Sequence, residues 1–118
     1  MRILVVDDEE NVCKTIALML TRMGHTCETA SGGEEALKMV GEASFNAVLT
    51  DLGMPGMNGL EVAERIKRIA PEVRIILVTG WPIQLSLEQL NQCGIERVVD
   101  KPIKLKDLLS ALHAPRPE

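Results

Sequence analysis

The stretch VLTDLGMPGMNG, Val48–Gly59, decides how the chain is read. Its first residues complete an apolar run, Asn46–Thr50, that reads as a strand. Asp51 stands where that strand ends. Gly53, Pro55, Gly56, Asn58 and Gly59 follow, residue types that punctuate regular structure rather than extend it. A lone carboxylate at such a place is either a turn former or a reactive group held at the edge of a sheet. The choice depends on what the rest of the chain brings beside it.

Working outward, strand and helix patterns alternate. Arg2–Val6 is a short apolar run rich in branched residues and reads as a strand buried on both faces. Val12, Ile16, Met19, Leu20 and Met23 recur at helical spacing up to Gly24. Thr26–Ala30 is a weaker strand, and Ser31 is placed to cap a helix running through Ala36, Leu37 and Val40 to Gly41. Asn58 and Gly59 open a third helix through Ile69, ended by Pro71. Val73–Thr79 is the most strand-like segment. A weaker helix follows Pro82, covering 83–93 and stopping at Gly94. Arg97–Val99 reads as a short fifth strand, and Leu105–His113 as a last helix. Five strands alternating with five helices predict an α/β fold, a parallel sheet with helices on both faces. Residues 1–113 form one domain in this reading, and 114–118 a tail or the start of a linker.

Composition narrows the function classes. The chain has 118 residues and a formal net charge of −4, which suits one core and gives nucleic acid no basic patch. No apolar run is long enough to span a bilayer, and the N-terminus lacks the pattern of a secretory signal, so the expected location is cytoplasmic. Cys13, Cys27 and Cys93 are odd in number and match no zinc spacing; they read as reduced, partly buried thiols.

Strand ends carry the chemistry. Asp7 and Asp8 follow the first strand, Asp51 the third, Thr79 closes the fourth, and Lys101 follows the fifth. In the doubly wound order 2-1-3-4-5, those four strands are adjacent and the five side chains share one edge. Close carboxylates repel by roughly 4 kcal/mol per pair at ~4 Å and an effective dielectric near 20. A hard cation with oxygen ligands relieves that, and Mg²⁺ fits best. Asp51 can then act as a nucleophile toward phosphorus, with Lys101 and Thr79 holding phosphoryl oxygens. Each residue also has a plainer reading: Asp8 as a helix cap, Lys101 as a partner of Asp100, Thr79 as an ordinary strand end.

Together, VVDDEE (5–10), TDLGMPGMNG (50–59), VTG (78–80) and DKP (100–102) resemble the receiver domain of two-component response regulators, of the single-domain chemotaxis-regulator type. The resemblance implies a flavodoxin-like (βα)5 fold and a phosphoacceptor role for Asp51. It implies Mg²⁺ held by Asp8 directly, Asp7 through water, Asp51, and the carbonyl of Gly53. Thr79 becomes the switch hydroxyl and Lys101 the partner of the acids or of the phosphoryl oxygens, with a Lys101–Pro102 bond commonly cis. The implied donor is a sensor histidine kinase or a phosphotransfer protein. The implied output is a downstream protein bound at the face of the fourth helix, fifth strand and fifth helix, by a monomer or weak dimer that is a signalling element rather than an enzyme.

The chain departs from the family pattern at three places. Val98 stands where an aromatic switch residue is usual, and Gly80 where Ala is frequent. Trp81, the single tryptophan, follows on the same loop, and Asp100 occupies a position that is commonly apolar. Asp100 is expected to point away from Lys101. Val98 is the best support for the alternative of a receiver-like interaction module that does not switch. A third possibility is a receiver cut from a hybrid kinase or a longer regulator. A phosphohydrolase is disfavoured, because the Asp-x-Asp pattern after the first strand is missing.

Overall fold

In the computed structural model, which describes residues 1–80 and 86–113, five strands and five helices alternate. They are β1 (Arg2–Val6), α1 (Glu10–Arg22), β2 (Thr26–Ala30), α2 (Gly33–Glu42), β3 (Ala47–Asp51), α3 (Gly59–Ile69), β4 (Arg74–Thr79), α4 (Leu87–Cys93), β5 (Ile95–Asp100) and α5 (Leu105–His113). All strand pairs are parallel, in the order β2-β1-β3-β4-β5. This is the predicted doubly wound sheet.

Alternation along the strands divides the core in two. Leu4, Val48, Ile75 and Leu77 face the helices α2, α3 and α4. Ile3, Val5, Leu49, Ile76 and Val78 face α1 and α5. The central strands are buried on both sides and therefore read as continuous apolar runs. β2, at an edge, alternates only weakly and is half exposed.

Three local expectations are corrected. Ser31 does not cap α2. Gly32 holds the N-cap position, and the Ser31 amide and hydroxyl both donate to the Glu35 carboxylate, at 3.0 and 2.7 Å. That acid reaches back to Ser31, leaving its hydroxyl engaged there. β5 is longer than the three residues predicted, because its first half is polar at Glu96 and Arg97. Its register against β4 shifts there: Ile75 pairs with Ile95 but Ile76 with Arg97, so Glu96 is an extra residue. The shift accompanies a clasp in which Arg74 Nη2 donates to Glu96 Oε2 at 2.6 Å and Arg74 Nη1 to the Leu112 carbonyl at 3.0 Å. Finally, α3 is capped by Asn58 as expected, with Oδ1 accepting from the Glu61 amide, but β3 runs one residue further than predicted and includes Asp51.

α4 starts at a capping box between Ser86 and Gln89 and ends at Gly94, whose φ of 76° is the left-handed conformation of a helix stop. The predicted start of this helix, including Ile83 and Leu85, lies outside the described residues, as do Trp81, Pro82 and the tail 114–118. Cys13 is buried and Cys27 and Cys93 half-buried, all as free thiols. Burial pushes the Cys13 and Cys27 thiols up to about 11. Among the described residues no helix is long and apolar enough to cross a membrane.

Candidate functional site

Three of the central strands deliver a polar group to the same edge. Asp7 follows β1 and is 2% exposed; Asp51 ends β3 at 6% and Thr79 ends β4 at 4%. Asp8 is exposed at the rim. Lys101 comes from just beyond β5, where its amide donates to the Thr79 carbonyl at 2.9 Å and its bond to Pro102 is cis. The resemblance implied that isomer.

Lys101 reaches in between the two buried acids. Its Nζ donates to Asp7 Oδ2 at 2.8 Å and lies 3.1 Å from Asp51 Oδ1. Pairing with Asp100 is not what the structure has: Asp100 is exposed, as strand alternation predicted. Asp7 also accepts the Glu9 amide at 2.9 Å, which ties it to the start of α1. Glu9, not Asp8, holds the N-cap position of that helix, so the capping reading of Asp8 fails. Cys13, one turn into α1, donates its thiol to the Asp7 carbonyl at 3.4 Å.

One oxygen each of Asp7, Asp8 and Asp51 lies within 4.8 Å of the others, the one such acidic group among the described residues. Among the described residues, Lys101 is the cation paired with this group, and it meets Asp7 and Asp51. Burial above all pushes the Asp51 carboxyl above its ordinary range, and the charge of Asp7 adds to that; the Lys101 hydrogen bond pulls the other way. Burial works against the Lys101 ammonium, yet its bonds to Asp7 and Asp51 outweigh that and raise its pKa. The set is all oxygen, closely spaced, partly buried and under-neutralised, which is the chemistry of a hard divalent cation site. Gly53 is exposed in the loop between β3 and α3. Leu52 and Met54, on either side of it, turn into the core and anchor that loop.

Two departures acquire a setting. Val98 is 42% exposed on β5. Gly80 is exposed, and a Cβ there would meet Lys101 Cβ at 3.5 Å and Cδ at 3.8 Å, ordinary van der Waals contact. Gly80→Ala is therefore accommodated. Lowering the freedom of the unfolded chain should raise stability by about 0.5 kcal/mol, read as an increase in urea midpoint at unchanged slope. A drop in midpoint would mean that the loop needs glycine.

The sequence left some of these contacts invisible. The Arg74–Glu96 pair spans 22 positions and has no pattern to announce it. The tight seating of Gly59 against Asp51 was hidden by its reading as an ordinary helix opener, although a glycine inside a helical pattern is itself a signal of close packing.

The family model described as the response regulator receiver domain matches residues 3–113. Among curated proteins, the chain is 30% identical over 111 residues to the DNA-binding transcriptional regulator NtrC of Azospirillum brasilense, covering 94% of this chain and 23% of that protein. It is also 30% identical over 112 residues to the sensor histidine kinase RcsC of Salmonella typhi, covering 95% of this chain and 12% of the kinase. The chain thus spans less than a quarter of each of these two relatives. Among solved structures, the response regulator TrrA of Thermotoga maritima, in complex with Mg²⁺ and BeF, superposes with a TM-score of 0.86 at 34% identity, covering 94% of this chain and 95% of that one.

Proposed function

The chain belongs to the family of response regulator receiver domains, and on that premise we propose that it is a phosphorylation-controlled signalling switch with Asp51 as acceptor. The observation that carries this reading is the convergence of Asp7, Asp8, Asp51 and Lys101 at one sheet edge. A carboxylate oxygen of Asp51 forms a bond to phosphorus as the P–N bond of a donor phosphohistidine breaks. The electron pair leaves on the imidazole nitrogen, which takes up a proton. Lys101 holds a phosphoryl oxygen by its ammonium and Thr79 another by its hydroxyl. Asp7, Asp8, Asp51 and the Gly53 carbonyl would hold Mg²⁺, which supplies charge neutralisation for the phosphoryl oxygens when bound. Water attacking phosphorus later restores the Asp51 carboxylate and releases phosphate.

The donor is a sensor histidine kinase or a phosphotransfer protein in the cytoplasm. The added charge and acceptor oxygens on Asp51 draw Thr79 and Lys101 toward them and shift the population of the α4–β5–α5 face. Val98, Leu105 and Leu109 lie exposed on β5 and α5 and give that face apolar surface for a downstream protein. The reading holds equally for a stand-alone chain and for a receiver within a longer regulator or hybrid kinase. One observation favours the rival of a non-switching interaction module: Val98 offers no ring to bury.

A thermal titration tests the proposal. Mg²⁺ should raise the melting temperature, since it binds the folded site alone, and beryllofluoride should raise it further only when Mg²⁺ and Asp51 are both present. A melting temperature indifferent to both ligands would overturn it.

A further inference from the structure

We infer that Gly59 is a positioning residue for Asp51, an inference that rests on reading Asp51 as the acceptor. α3 begins against the backbone of Asp51 itself. The Gly59 amide donates to the Leu52 carbonyl at 2.9 Å, and the Leu52 amide donates to the Val78 carbonyl at 3.3 Å. The first turn of α3, the residue after the acceptor and β4 are thereby joined by consecutive backbone hydrogen bonds.

The approach is closer than any side chain allows. A Cβ on Gly59 would stand 2.2 Å from the Asp51 carbonyl oxygen and 2.9 Å from both the Asp51 carbonyl carbon and Leu52 Cα. All three are main-chain atoms, so no change of rotamer relieves the clash. Gly33 is a useful contrast. Its Cβ would meet Met57 Sδ and Val62 Cγ2, both at 2.8 Å, and Met57 Cβ at 3.0 Å, all of them side-chain atoms rather than main chain. Gly59 is not required for a left-handed backbone either, because positive φ among the glycines is confined to Gly24, Gly56 and Gly94. Capping is already supplied by Asn58. What remains for the glycine is proximity, and the atoms it approaches are those of Asp51.

Asp51 is therefore fixed twice. Lys101 holds the carboxylate from the β5 side, and the bare backbone of Gly59 lets its peptide sit flush with the start of α3. A methyl group at position 59 must displace the 51–52 peptide, and the carboxylate then shifts against Lys101 and Asp7. Phosphoryl transfer depends on in-line placement of that oxygen, and a displacement of ~1 Å costs on the order of a hundredfold in rate.

The test compares Gly59→Ala with Val62→Ala, which opens a cavity in the same helix without touching Asp51. Two readouts are taken: the rate of phosphoryl incorporation from acetyl phosphate with Mg²⁺ per folded molecule, and the NMR titration of the Asp51 carboxyl carbon in metal-free protein. Gly59→Ala should slow incorporation about tenfold or more and move the titration midpoint, while Val62→Ala leaves both at wild-type values. Wild-type behaviour of Gly59→Ala, or equal slowing by Val62→Ala, would overturn the inference. Should Gly59→Ala not fold, Asn58→Ala loosens the same turn without adding an atom; it should slow incorporation severalfold, and no change in either readout would count against the positioning role. If wild type itself incorporates nothing, the acceptor reading fails, while the metal-free titration still decides whether Gly59 places Asp51.

Discussion

Lys101→Met should leave the metal-free domain about 3 kcal/mol less stable at neutral pH, the lower end of the range for removing one partner from a buried ion pair. The ammonium stands 2.8 Å from Asp7 and 3.1 Å from Asp51, both carboxylates almost wholly withdrawn from water. Without it they face each other uncompensated, with Asp8 at the rim. Methionine matches the apolar stem of the lysine as far as Cε and omits only the ammonium, so the loss reports mainly the charge and not the packing. The lower end applies because Lys101 is itself partly exposed. The Lys101 pKa is raised in the folded state, so its contribution is complete below the ordinary lysine value and is lost as pH rises through the folded one. At pH 7 the full difference is therefore available. Mg²⁺ should return much of it, because the ion neutralises the same carboxylates. Urea unfolding with and without Mg²⁺ gives the answer. A loss below about 1 kcal/mol would mean that the acids are already neutralised by protons or solvent.

Asp51→Asn should move stability in the opposite direction. Burial, aided by the charge of Asp7, holds the Asp51 carboxyl above its ordinary range. Between the unfolded and folded pKa values the native state binds more protons than the unfolded one, so stability falls as pH rises through that window. Above it, the ionised carboxylate costs the metal-free fold the whole difference. Asparagine has nearly the same shape, can still accept a hydrogen bond from Lys101, and carries no charge. The variant should melt several degrees higher than wild type at pH 7 without Mg²⁺, the shift that about 1 kcal/mol gives in a small domain. The gap should close as pH falls below the ordinary carboxyl range. With saturating Mg²⁺ it should shrink or reverse, since the variant would lack one of the proposed ligands. A lower melting temperature for Asp51→Asn at every pH would mean that the Lys101–Asp51 pair outweighs the burial of the acid.

Much of the architecture was legible because burial writes it into the chain. The central strands are covered on both faces, so their buried stretches, Ile3–Val6 and Ile75–Val78, are apolar and branched throughout. The site followed from topology: once the strand order is 2-1-3-4-5, the residues after strands one, three, four and five must meet. What stayed hidden depends on geometry rather than composition. Ser31 and Gly32 are both plausible caps, and only the reach of Glu35 back to Ser31 separates them. The polar start of β5 escaped notice because the register shift at Glu96 serves an ion pair and not a core. Asp8 looked like a helix cap because a carboxylate suits that place, yet the N-cap of α1 falls one residue later, at Glu9, and leaves Asp8 at the rim with Asp7 and Asp51.

The central claim is that Asp51 accepts a phosphoryl group, and intact-mass spectrometry after incubation with acetyl phosphate tests it most directly. Wild type should gain the mass of one phosphoryl group in the presence of Mg²⁺ and none when the ion is chelated, and Asp51→Asn should gain none in either condition. Incorporation that persists in Asp51→Asn, or that ignores the removal of Mg²⁺, would contradict the account by placing the acceptor elsewhere.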